Sequence, residues 1–113
     1  AIIKALRRAG AKKISMLITY PQINYPCYAG IDFPSQEELA TFTDGKDMST
    51  DEITEMVRKS IGVDFLGYND AKNLADAVGM PKDSMCFTCS SGNYDSLGIK
   101  PDFTKREQVK IKI

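Results

Sequence analysis

Cys86 and Cys89, in Cys86-Phe87-Thr88-Cys89-Ser90-Ser91-Gly92, stand at C-x-x-C spacing, and the chain's third cysteine, Cys27, lies far upstream in Tyr25-Pro26-Cys27-Tyr28-Ala29-Gly30. A C-x-x-C pair brings two sulfurs within reach of one metal centre, but zinc and iron-sulfur sites usually take four protein ligands and only three thiols are present. Spacing alone leaves unligated thiols, a zinc site and a redox pair all open. The thioredoxin-like redox reading fits poorly, because that motif opens a helix after a strand, whereas Ser90-Ser91-Gly92 reads as continuing loop.

The sequence contains no histidine. That removes Ser-His-Asp and Cys-His catalytic units built within these residues, and imidazole ligands with them. Any metal must sit on thiolates or carboxylates. Fifteen basic residues balance fifteen acidic ones, so no broad positive field invites nucleic acid or an anionic membrane. Apolar runs such as Ile14 to Ile18 are too short to span a bilayer. An odd cysteine count in a chain of ordinary composition does not resemble a secreted disulfide framework. One soluble, cytoplasmic domain is expected from 113 residues of this kind.

The cysteines need elements to hold them. Ile2, Ile3, Leu6 and Ala9 recur at helical spacing, with Gly10 as a stop, and the lack of a capping residue or initiator Met suggests a piece of something longer. Lys13 to Tyr20 reads as a strand ended by Pro21, apolar enough to be a parallel strand covered on both faces. Three prolines and Gly30 between Pro21 and Pro34 place Cys27 on a loop, whose Tyr25 and Tyr28 need cover. Ser35-Gln36-Glu37-Glu38 and Ser49-Thr50-Asp51-Glu52 both match a capping box, the second opening a helix with Ile53, Met56, Val57 and Ile61 on one stripe before Gly62. Asp44-Gly45 marks a turn between them. Val63 to Tyr68 is a short strand, and Asn69 is expected to cap a helix burying Ala71, Leu74, Ala75 and Val78 before Gly79. Cys86 to Tyr94 then reads as loop, and Val109 to Ile113 alternates like an edge strand. Helix, buried strand, helix, strand, helix is an α/β pattern. Asp32 and Asp64 are read as caps or solvated side chains rather than acid/base groups.

Several blocks, in order, resemble amidophosphoribosyltransferase: Ala9-Gly10-Ala11-Lys12-Lys13, Tyr25 to Asp32 with Ser35-Gln36-Glu37-Glu38-Leu39, Ile61 to Tyr68, Leu74 to Val78, and Cys86-Phe87-Thr88-Cys89 with Gly92 and Tyr94. They span roughly residues 2–95, leaving 96–113 unassigned. The family joins a glutaminase domain to a type I phosphoribosyltransferase domain and transfers glutamine-derived ammonia to phosphoribosyl pyrophosphate. The resemblance implies that these residues are the C-terminal part of the phosphoribosyltransferase domain, a portion of a parallel sheet flanked by helices. It also implies membership of the branch whose cysteines carry a four-iron four-sulfur cluster, with Cys27, Cys86 and Cys89 on three ligand positions and the fourth outside this sequence, so that this segment by itself is expected to carry the thiols without the assembled cluster. Tyr25, Tyr28, Phe87 and Tyr94 are candidates to shield that site, or plain core.

The 113 residues contain neither the family's Gly-Thr-Thr phosphate turn nor a terminal nucleophile, so no catalytic residue is assigned and the segment alone is expected to be inactive. By the same resemblance the complete enzyme uses magnesium, and the expected partners are its remaining glutaminase and phosphoribosyltransferase segments in a homo-oligomer. The competing reading is a standalone thiol- or zinc-binding interaction module derived from that enzyme.

Overall fold

A computed structural model describes residues 1–30 and 35–100. Four α-helices are present among them, α1 Ile2–Arg8, α2 Thr50–Ile61, α3 Ala71–Val78 and the one-turn α4 Thr88–Ser91, together with two strands, β1 Ser15–Ile18 and β2 Phe65–Tyr68. The strands pair in parallel, Ser15 opposite Phe65 and Ile18 opposite Tyr68. A parallel pair needs a crossover, and α2 supplies it by packing on one face of the sheet. Ile14, Val57, Val63 and Leu66 form the buried centre, with Met16, Ile18, Ile53 and Met56 packed around it. The chain is α/β, as expected.

Local chemistry explains where α2 begins and ends. Ser49 accepts from the Glu52 backbone N–H at 3.3 Å, and Glu52 accepts in return from the Ser49 N–H at 2.8 Å. Gly62 closes the helix in the left-handed region at φ 77°. Arg58 donates to the Val63 carbonyl at 2.8 Å, fastening the turn into β2. Asp64 makes the joint on the other side: its Oδ2 accepts from the Ile14 backbone at 2.8 Å and from Arg7 at 2.7 Å, tying α1 to the starts of both strands.

Several expectations need correction. β1 is shorter than Lys13 to Tyr20, and among the described residues only one of its faces is covered: Leu17 is 75% exposed and Phe65, on the same face of the sheet, 53%. In α1 Ile2 and Leu6 are exposed and Ile3 alone is partly buried, since the helix meets the sheet through that one residue. Ser35 makes no side-chain cap, and Gln36–Glu38 is a single 3-10 turn. Asp70, not Asn69, caps α3 by accepting from the Asn73 N–H at 2.7 Å. Val78 is 52% exposed, because α3 buries only Ala75 fully. Cys86 to Tyr94 is not all loop, for Thr88–Ser91 makes a helical turn that Gly92 ends at φ 73°. The Asp44-Gly45 turn forms, with both residues at positive φ. Asp32 and Val109 to Ile113 lie outside the described residues. No helix among the described residues is long and apolar enough to cross a membrane.

Candidate cysteine site

β1 delivers the chain to the site. Directly after it Tyr20 projects from the sheet end, and its ring stacks on Phe87 with centroids 5.7 Å apart. Its hydroxyl donates to the Cys86 carbonyl at 2.8 Å and lies 3.9 Å from Cys89 Sγ. Pro21 and Gln22 are buried, and Gln22 donates to the Thr50 carbonyl at 2.9 Å and to Thr54 Oγ1 at 2.7 Å, so the loop is anchored on the first turn of α2. Thr41 donates to the Ile23 carbonyl at 2.6 Å, and Gln36 to the Asn24 carbonyl at 2.9 Å. A loop without regular secondary structure thus has two of its carbonyls met by side chains and grips α2 with a side chain of its own.

The two cysteine-bearing segments meet directly. The backbone N–H groups of Asn24 and Tyr25 donate to the Cys89 carbonyl at 3.0 and 2.9 Å. Tyr94, buried, donates to the carbonyl of Pro26, the residue before Cys27, and its ring meets Tyr28 edge to face at 5.3 Å. Gly92 lets Tyr25 lie flat against the chain, since a Cβ there would fall 2.8 Å from Tyr25 Cζ. Every one of these contacts joins residues 20–28 to residues 86–94. Phe87 and Tyr94 are core, while Tyr25 and Tyr28 are half-buried between the segments.

None of the three cysteines is in a disulfide; Cys86 is exposed and the other two are half-buried. Thr88 Oγ1 is 3.5 Å from Cys86 Sγ. Burial pushes the Cys89 thiol above its usual range, the Tyr20 hydroxyl pulls it back, and repulsion from Cys27 and Cys86 pushes it up again. Burial, with the thiols beside it, also drives the Tyr20 phenol well above the usual tyrosine range. No cation is among the groups that shift Cys89. Among the described residues, no three His, Cys, Asp or Glu side chains converge tightly enough to hold one metal ion.

Sequence reasoning passed over Tyr20, Gln22 and Thr41. Tyr20 reads as the last residue of a strand, and only its position beside Pro21 marks it as a loop entry. Behind this loop lies a cavity of about 350 Å³ lined by Asn24, Gln36, Thr41, Thr43 and Thr50 among others. Asn24, which lines it, and Gln22 each bury a side-chain oxygen that has no hydrogen-bond partner among the described residues.

No protein-family model matches the chain. Curated relatives do. It is 36% identical to the amidophosphoribosyltransferase of Mycobacterium leprae over 94 residues, 83% of this chain and 16% of that protein. It is also 36% identical to that of Methanothermobacter thermautotrophicus over 110 residues, 97% of this chain and 21% of the relative. The chloroplastic amidophosphoribosyltransferase 1 of Arabidopsis thaliana matches at 36% over 111 residues, 98% of this chain and 17% of that protein. The chain thus spans about a fifth or less of the length of these relatives. Taken with the α/β arrangement, compatible with part of a phosphoribosyltransferase fold, these matches make the chain a member of the amidophosphoribosyltransferase family, corresponding to one segment of it.

Proposed function

We propose that these residues form the C-terminal part of the phosphoribosyltransferase domain of a cytoplasmic amidophosphoribosyltransferase, and that Cys27, Cys86 and Cys89 are three ligands of a four-iron four-sulfur cluster. The whole enzyme would transfer glutamine-derived ammonia to phosphoribosyl pyrophosphate, with magnesium, to give 5-phosphoribosylamine. This segment supplies structure and ligands rather than the reacting groups. Its partners are the glutaminase and remaining phosphoribosyltransferase segments, in a homo-oligomer.

The observation that carries the cluster reading is the direct meeting of the Cys27 and Cys86–Cys89 segments through the Cys89 carbonyl. The donor set also fits. Burial, with Cys27 and Cys86 nearby and no protein cation to offset them, raises the Cys89 thiol, and a bound metal would favour its thiolate form. A single zinc ion asks three or four ligands to converge on one sphere, which the described side chains do not do. A cluster asks less, because each thiolate goes to a different iron. When bound, it would cross-link two loops far apart in sequence, a structural role open to oxygen sensing.

Anaerobic incubation with ferrous iron, sulfide and a small thiol to fill the fourth corner tests this. Broad visible absorption with about four irons per chain is expected. A colourless product holding zinc instead would favour the small thiol- or zinc-binding module, and no iron uptake at all would remove the cluster assignment.

A further inference from the structure

Resting on that cluster reading, we propose that the Tyr20 hydroxyl is a hydrogen-bond donor to the Cys89 ligand sulfur, a positioning residue that sets the electronic character of the site. Tyr20 is held from both ends. Asn69 donates from its backbone to the Ile18 carbonyl at 2.9 Å and from Nδ2 to the Thr19 carbonyl at 3.2 Å, while the ring is stacked on Phe87. With backbone and ring fixed, rotation of the O–H about Cζ–Oη is the freedom that remains.

A phenol has one proton to give and lone pairs to receive with. The Cys86 carbonyl, at 2.8 Å, can only accept, so that proton goes to it. The 3.9 Å contact to Cys89 Sγ is then satisfied by the thiol proton, giving a relay from Cys89 to Tyr20 to the Cys86 carbonyl. A sulfur bound to iron carries no proton and can only accept. In this proposal the phenol hydrogen is then shared between the Cys86 carbonyl and Cys89 Sγ, which a small O–H rotation achieves without moving a heavy atom. Donation to a ligand sulfur withdraws electron density from a cluster and raises its reduction potential. Tyr20 therefore does two things: it holds the C-x-x-C backbone through Cys86, and it eases the negative charge on Cys89.

The test compares the chain with Tyr20→Phe, which keeps the ring on Phe87 and removes only the hydroxyl. Both are reconstituted with ferrous iron, sulfide and a small thiol, then titrated with mediators. The Tyr20→Phe cluster should be reduced at a more negative potential; equal potentials overturn the proposal. Separately, without iron, iodoacetamide labelling read by mass spectrometry should show Cys89 alkylated several-fold more slowly in Tyr20→Phe, relative to Cys27 in the same molecule, because the reacting thiolate has lost its donor. An unchanged ratio would mean that the hydroxyl does not donate to the Cys89 sulfur, and it also overturns the proposal. If neither protein takes up iron, the cluster reading fails and the tuning role with it, while the labelling ratio still reports whether the Tyr20–Cys89 contact exists.

Discussion

Tyr25 lies so close over Gly92 that a Cβ placed on the glycine would come within 2.8 Å of Tyr25 Cζ and 2.9 Å of Cε2. Gly92 also has φ 73°, a region that side chains other than glycine adopt at a cost. Gly92→Ala therefore meets two penalties at once, and we expect it to destabilise the chain by about 1–3 kcal/mol in urea unfolding. Adding Tyr25→Ala should relieve the steric part only, so the double variant should fall short of the sum of the two single changes. Full additivity would show that the ring does not press on this turn.

Asp64 carries the pH dependence that is simplest to isolate. The Ile14 backbone N–H, and then the Arg7 guanidinium, hold its carboxyl below the usual carboxylate range. A depressed folded pKa stabilises the fold above the unfolded carboxylate value of about 3.9, and that contribution is lost as pH falls through the folded value. Asp64→Asn keeps an oxygen for Ile14 but loses the charge. It should be less stable than the parent at neutral pH, and the gap should close on acidification. Glu55, pulled to about 2 chiefly by its hydrogen bonds to Arg58, titrates on the same side and belongs to both proteins, so it cancels in the difference. A gap that stays constant from pH 7 down to acid would contradict the ionic role of Asp64.

The sheet makes a prediction about sides. Leu66 is 5% exposed against α2, whereas Leu17, one strand over on the opposite face, is 75% exposed. Leu66→Ala should cost about 2–5 kcal/mol, by lost burial and the cavity left behind. Leu17→Ala should stay within about 0.5 kcal/mol, as surface changes do. Comparable losses at the two positions in thermal unfolding would mean that both faces are covered in solution.

That same sheet shows what the sequence discloses and what it does not. Apolar residues from Ile14 to Ile18 announce a strand, and β1 is there, but composition carries no information on whether the second face has a neighbour within these residues. Two capping boxes look alike on paper. Ser49 forms its box because a real helix with a buried stripe follows it, while after Ser35 the chain makes one 3-10 turn and bends away, so no N3 donor reaches the hydroxyl. Asn69 and Asp70 are equally good caps by type, and a one-residue shift in where the helix starts decides between them. At the site, the three cysteines were legible as a group only through spacing and resemblance. Tyr20, Gln22 and Thr41, which hold those loops in place, are unremarkable as residue types, because their roles arise from pairing between segments distant in the chain.

The bond from Tyr94 to the Pro26 carbonyl ties the Cys27 loop to the segment after Cys89. Tyr94 is 2% exposed, so water cannot readily replace the hydroxyl, and burial holds the phenol protonated well above its usual range. Tyr94→Phe would keep the edge-to-face packing on Tyr28 but leave a carbonyl short of its donor. The expected cost is about 1–3 kcal/mol, the penalty for an unmet buried polar group. A general loss of stability alone would say little about the cysteines, so the informative measurement is local. Under native conditions Cys27 should be alkylated faster in Tyr94→Phe, because the tether beside it is gone, while cysteine labelling in Leu66→Ala should rise only in proportion to global unfolding. Cys27 labelling that tracks global stability in both variants would show that the two loops are held together by the Cys89 carbonyl contacts without help from Tyr94.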